Sequence, residues 1–105
     1  MNIAVDLGSD APVVRLDEPD DFHSFKVVVY GGGDTAAVGA ALAPLGALAP
    51  TGTAELRIAA VRELAGDRAD DPQWRRSFDA MIDYALSKGW VDSDRQVVQA
   101  HCEAA

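Results

Sequence analysis

His23, Tyr30, His101 and Cys102, with the aspartates near them, are the side chains of this 105-residue chain suited to nucleophilic or acid–base work near neutral pH. No spacing binds them into a motif. In a strand the adjacent His101 and Cys102 point to opposite faces, and on a helix they diverge by about 100°, so neither conformation pairs a nucleophile with its base. Cys102 reads as a small buried hydrophobe and His101 as a surface or edge-strand residue. A zinc site from His23, His101, Cys102 and an aspartate lacks any C-x-x-C or H-x-x-x-H spacing. The acidic run DEPDD, residues 17–21, lacks the alternating ligands and glycine of a calcium loop. No catalytic residue, metal or cofactor is expected, and whether the protein is an enzyme stays open, with the balance towards a non-enzyme.

Three sets of residues are candidates for binding. The stretch GGGDTA, residues 31–36, follows a strand pattern and formally matches G-x-G-x-x-A, so that Gly31, Gly32, Gly33 and Thr35 would offer amides and a helix start to an anion. Against this, Asp34 sets a carboxylate beside the phosphate, no lysine follows, and Glu55, where a ribose-binding acid is sought, precedes a strand rather than ending one. A tight turn with a capped helix explains the same residues. A second candidate is a pocket between sheet and main helix, lined by Tyr30, Trp74, Tyr84, Trp90 or His101. The third is Arg75-Arg76, whose charges oppose the helix dipole. An exposed ion-pair row with Asp79 and Asp83 would offset them; otherwise they face an acidic patch on a partner or on another copy of the chain.

These side chains need elements to hold them, and the clearest is DPQWRRSFDAMIDYALSKGW, residues 71–90. Asp71 can cap a helix, Pro72 suits the first helical position, and Gly89 can take the left-handed turn that ends it. Trp74, Phe78, Met81, Ile82 and Ala85 share one face, so a main helix over 72–88 must lie on a partner layer, with Trp90 folding back on its last turn. The partner is legible as strands. FKVVVY, residues 25–30, is the strongest, apolar on both faces and therefore central. PVVRL, 12–16, reads as another, and residues 1–11 as either a weak strand or a loose arm. A short alanine-rich helix is expected over 35–42, a hairpin from 47–49 and 55–59 around the turn at 50–52, and a helical turn over 61–64. Val98, Ala100 and Cys102 alternate with polar residues, which favours a strand over a helix at 97–103.

A single α+β domain is therefore expected, a mostly antiparallel sheet with helices packed on one face. The 13 Asp and 4 Glu against 9 basic residues give a net charge of −8, which repels nucleic acid and anionic lipid surfaces. The longest uncharged run, residues 35–53, is broken by Pro44, Pro50 and glycines, so no membrane span is expected. The first residues lack the pattern of a signal peptide and the cysteine is single, so a cytoplasmic location is expected; the abundance of alanine and of arginine over lysine suggests a bacterial origin. A non-enzymatic interaction or accessory protein that self-associates as a homodimer follows from the exposed edges such a sheet would leave. A small-ligand-binding protein or minor enzyme using the pocket is the alternative.

Overall fold

The alternation in residues 25–30 folds as a strand over 26–30 with neighbours on both sides, in a computed structural model that describes residues 1–8, 10–32 and 34–105. The strands are β1 (Asn2–Asp6), β2 (Val13–Asp17), β3 (Lys26–Tyr30), β4 (Gly46–Leu48), β5 (Ala54–Arg57) and β6 (Val97–Ala104). The helices are α1 (Thr35–Leu42), α2 (Ile58–Leu64) and α3 (Pro72–Ser87), with a 3-10 helix at Gly66–Asp70 before α3. The strands form one sheet in the order β2-β1-β3-β6-β5-β4.

That sheet is mixed, which corrects the expectation of a mostly antiparallel one. β1 runs parallel to β3 and β3 parallel to β6, while β1–β2, β4–β5 and β5–β6 are antiparallel. The reason lies in β6. Its first half, Val97 to Ala100, pairs with β5, and its second half, His101 to Ala104, pairs with β3. One eight-residue strand thus joins an antiparallel hairpin to a parallel trio. Of the two readings of residues 1–11, Asn2–Asp6 form β1, held between β2 and β3.

Period-two alternation sorts the sheet into two faces. Ile3, Val5, Val27, Val29, Ala54, Leu56, Val98 and Ala100 join Val38, Leu42, Val61, Trp74, Phe78 and Ile82 of the three helices in one apolar cluster. The helices therefore share one side of the sheet. The other side carries Arg15, Asp17, Lys26, Tyr30, His101 and Glu103 around the buried Ala4 and Val28. Long charged side chains cover these two small residues. Lys26 Nζ lies 2.6 Å from Glu103 and Arg15 Nε 3.0 Å from Asp17.

The ends of α3 follow the local signals. Asp71 accepts a hydrogen bond from the Gln73 amide at 2.9 Å, and Pro72 opens the helix. At the other end Gly89 takes φ +80°, Gly89 N donates to Leu86 O, and Trp90 N donates to Ala85 O at 2.9 Å. These two bonds are the Schellman closure, and they fix where Trp90 leaves the helix. Among the described residues no helix is long and apolar enough to cross a membrane.

Candidate functional site

Trp90 and Tyr84 are large aromatic residues left 46 % and 59 % exposed. Their rings meet edge to face, 6.3 Å between centroids, beside the last turn of α3. Between them and the segment before β3 lies a cleft of about 90 Å³, with Phe22, Phe25, Met81 and Ile82 among its walls and Val98 at its base. The cleft continues as a wider, open trough along α3 past Ser77 and Ala80. Beyond Trp90 the surface falls into a second hollow lined by Glu55, Asp92 and Gln99. Among the described residues no lysine or arginine lines the cleft, the trough or this hollow, and Lys88 Nζ lies 5.4 Å from the Tyr84 ring centroid at the rim.

Each wall has a structural reason for its position. The Schellman closure holds Trp90, and the antiparallel bridge of Val91 to Val98 docks the chain after it on β6. The opposite wall, residues 22–25, is pinned from below. The Met1 amine donates to Asp21 O at 2.7 Å and Ser24 O at 3.0 Å, and burial pushes its pKa down. Asp21 accepts from the His23 amide, which holds its carboxyl below its ordinary range. Trp74 Nε1 donates to Pro19 O at 2.9 Å and its ring meets Phe22 edge to face, tying the 17–22 segment to α3.

The candidate pocket residues are divided by the fold. Tyr84 and Trp90 line the cleft, whereas Tyr30 sits on the opposite face of the sheet with the Arg15 guanidinium 5.5 Å from its ring centroid. His101 is also on that face; it borders a separate hollow shared with Phe25, Thr53 and Trp90. Trp74 is buried and stacks on Phe78. Phe22, Phe25 and Met81 complete the cleft, and the sequence reading missed them there. Phe25 belongs to the strand pattern of residues 25–30, but β3 begins one residue later, and an i, i+3 aromatic pair in a loop carries no periodic signal.

The glycine segment has a local explanation. A Cβ on Gly31 would lie 2.3 Å from Gly8 N, and Asp34 already accepts the Ala37 amide at 2.8 Å at the start of α1. That carboxylate takes the place an anion would fill. Gly32 faces open space, Thr35 is exposed, and Gly33 lies outside the described residues.

Arg75 and Arg76 are exposed, and among the described residues neither guanidinium makes a hydrogen bond or an ion pair. The expected row with Asp79 and Asp83 does not form. Asp79 pairs with Arg62 of α2 at 3.2 Å and Asp83 with Arg95 at 2.6 Å. Those two cations reach the middle of α3 from outside it, so the carboxylates are already satisfied and the first-turn arginines project alone.

Cys102 is half-buried at the margin of the core, and burial raises its thiol pKa. Iodoacetamide at mildly alkaline pH is therefore expected to alkylate it several-fold more slowly than free cysteine, with the difference lost in urea. Intact-mass kinetics would check this; an equal rate in the folded protein would contradict the burial. His101 Nε2 approaches Glu103 at 3.8 Å on the far face of the sheet, away from the thiol. Among the described residues no cluster of three or more His, Cys, Asp or Glu is placed to hold a metal.

Fold and site define a small two-layer α+β domain with an aromatic cleft at the end of its longest helix. Neither a protein-family model, nor a curated protein, nor a solved structure matches the chain.

Proposed function

We propose that this protein is a non-catalytic interaction domain whose cleft beside α3 docks a segment of a partner protein carrying an apolar anchor next to a basic residue. The observation that carries this reading is Trp90, half exposed between an apolar cleft and a hollow lined by Glu55 and Asp92. Exposed Trp and Tyr at the edge of an apolar depression are the residues that dominate binding energy at protein interfaces. A guanidinium or ammonium stacked on Trp90 would gain both the ring and the Glu55 carboxylate.

Shape rather than volume favours a chain over a small ligand. The narrow end of the cleft is about 90 Å³, below the roughly 300 to 1,000 Å³ of sites that bury a drug-sized ligand, and the trough that continues it, about 550 Å³, lies open along α3. One side chain fits, and the open trough along α3 suits the chain that would carry it. The net charge of −8 raises the local concentration of basic partners.

The test is an NMR titration of labelled protein with short peptides, following the two indole N–H signals of Trp74 and Trp90. One peptide carries a leucine flanked by arginines, a second the same leucine flanked by glutamates, and a third the arginines with glycine for leucine. The first is expected to shift Trp90 and Glu55 at millimolar concentration, and the others to shift them far less. Trp90→Ala is expected to cost about 2 kcal/mol of binding, which removes a millimolar interaction from view, while the urea midpoint barely moves. Equal response to the acidic peptide, or no response at Trp90, would sink the proposal.

A further inference from the structure

β2 ends the sheet, and its free edge has a definite chemical pattern. Leu7 N donates to Tyr30 O, so the odd residues of β1 turn their backbone to β3 and the even ones to β2. Asn2, Ala4 and Asp6 oppose Asp17, Arg15 and Val13, and these are consequently the hydrogen-bonded pairs. The backbone groups of Val14 and Leu16 therefore point away from the sheet. Pro12 and Pro19 bracket the segment, which limits any added strand to the residues between them. Val13 is 47 % exposed at its start.

We infer that β2 pairs antiparallel with β2 of a second copy of this chain, centred on Leu16, to make a weak homodimer with one continuous sheet. Charge selects the centre. Arg15 and Asp17 lie on the same face of β2, 3.0 Å apart. Centring a two-fold pair on Arg15 would set the two arginines opposite each other, and centring it on Val14 would set Arg15 opposite Val13. Centring it on Leu16 sets each Arg15 opposite the other copy's Asp17. That produces a square of alternating charge, two sides within the copies and two between them. The facing Arg–Asp pairs would occupy non-hydrogen-bonded positions, where side chains approach most closely. The two Leu16 backbones exchange the bonds left open at the edge, and their side chains meet on the helix-bearing face. A strand pair this short buries less than the roughly 1,200 Å² of stable complexes, so association depends on concentration and weakens with salt. This proposal does not use the cleft, and either can fail without the other.

Sedimentation at rising protein concentration tests it, with Arg15→Asp and Asp17→Arg as separate variants whose circular dichroism confirms folding. The wild type is expected to dimerise between about 10 µM and 1 mM. Each variant alone places like charges across the pair and is expected to associate at least about tenfold more weakly. An equimolar mixture of the two variants restores opposite charges only between copies, so it is expected to dimerise again. Arg75→Ala with Arg76→Ala should leave the dimer intact. A wild type that stays monomeric at 1 mM would overturn the proposal. So would single variants that dimerise like the wild type, a mixture that remains monomeric, or loss of the dimer on removing Arg75 and Arg76.

Discussion

Phe78→Ala is expected to cost about 3–5 kcal/mol of folding stability. The ring is fully buried and stacks on Trp74 at 5.0 Å between centroids and 17° between planes. The Arg62 guanidinium sits 5.4 Å from its centroid, so truncation removes apolar burial, a stacking contact and a cation–π contact together. The surroundings cannot close over the gap. α3 is fixed at its start by the Asp71 cap and the Trp74 bond to Pro19, and along its length by Asp79 to Arg62 and Asp83 to Arg95. A domain of this size has roughly 5–15 kcal/mol in total, so the variant would lose much of its stability. Urea unfolding should show the midpoint falling sharply at unchanged slope. Leu86→Ala, on the exposed side of the same helix, should change stability by no more than about 0.5 kcal/mol. A comparable loss in both variants would show that Phe78 has no special place in the core.

How legible this was in the sequence depended on the distance over which each signal acts. Asp71, Pro72 and Gly89 are local determinants, and α3 begins and ends where they place it. The alternation of Val27 and Val29 against Lys26 and Val28 likewise marked a strand buried on both faces. Parallel pairing was not legible. β1 and β3 align across a connection that contains β2, and no residue in either strand encodes its direction. The ion-pair row on α3 failed for a related reason: Asp79 and Asp83 found Arg62 and Arg95 in space before Arg75 and Arg76 in sequence.

The candidate site shows the same division. Tyr84 and Trp90 are six residues apart in sequence, and both line the cleft with their rings in contact. Tyr30 and His101 were joined to them by chemistry alone, and strand alternation placed both on the far face. The sequence pattern predicts that Trp90 folds back on the last turn of α3. The Schellman closure does bring it there, yet the ring touches Tyr84 at the rim and leaves the interior to Val91, Val98 and Ile82. Its exposure is the part that the sequence pattern did not contain.

Gly31→Ala is expected to destabilise the fold on the order of 3 kcal/mol, although residue 31 itself lies on the surface. Two costs combine. Gly31 has φ +87°, a left-handed conformation that costs an ordinary residue roughly 1–2 kcal/mol. A methyl group there would also lie 2.3 Å from Gly8 N and 2.8 Å from Leu7 C, and these are backbone atoms that no rotamer change can move. Leu7 N is held to Tyr30 O at 2.9 Å, so relief would require breaking the last β1–β3 bond; forcing extra atoms into such a contact costs about 1–3 kcal/mol. Gly32→Ala serves as the control, since it has φ +66° with nothing within 4 Å of the added carbon, and it should show the conformational cost alone. A glycine kept for an anion would behave differently. Phosphate would then raise the melting temperature of the wild type and fail to do so for Gly31→Ala. The expected result is a large gap in urea midpoint between the Gly31 and Gly32 variants, and melting temperatures indifferent to phosphate in all three proteins.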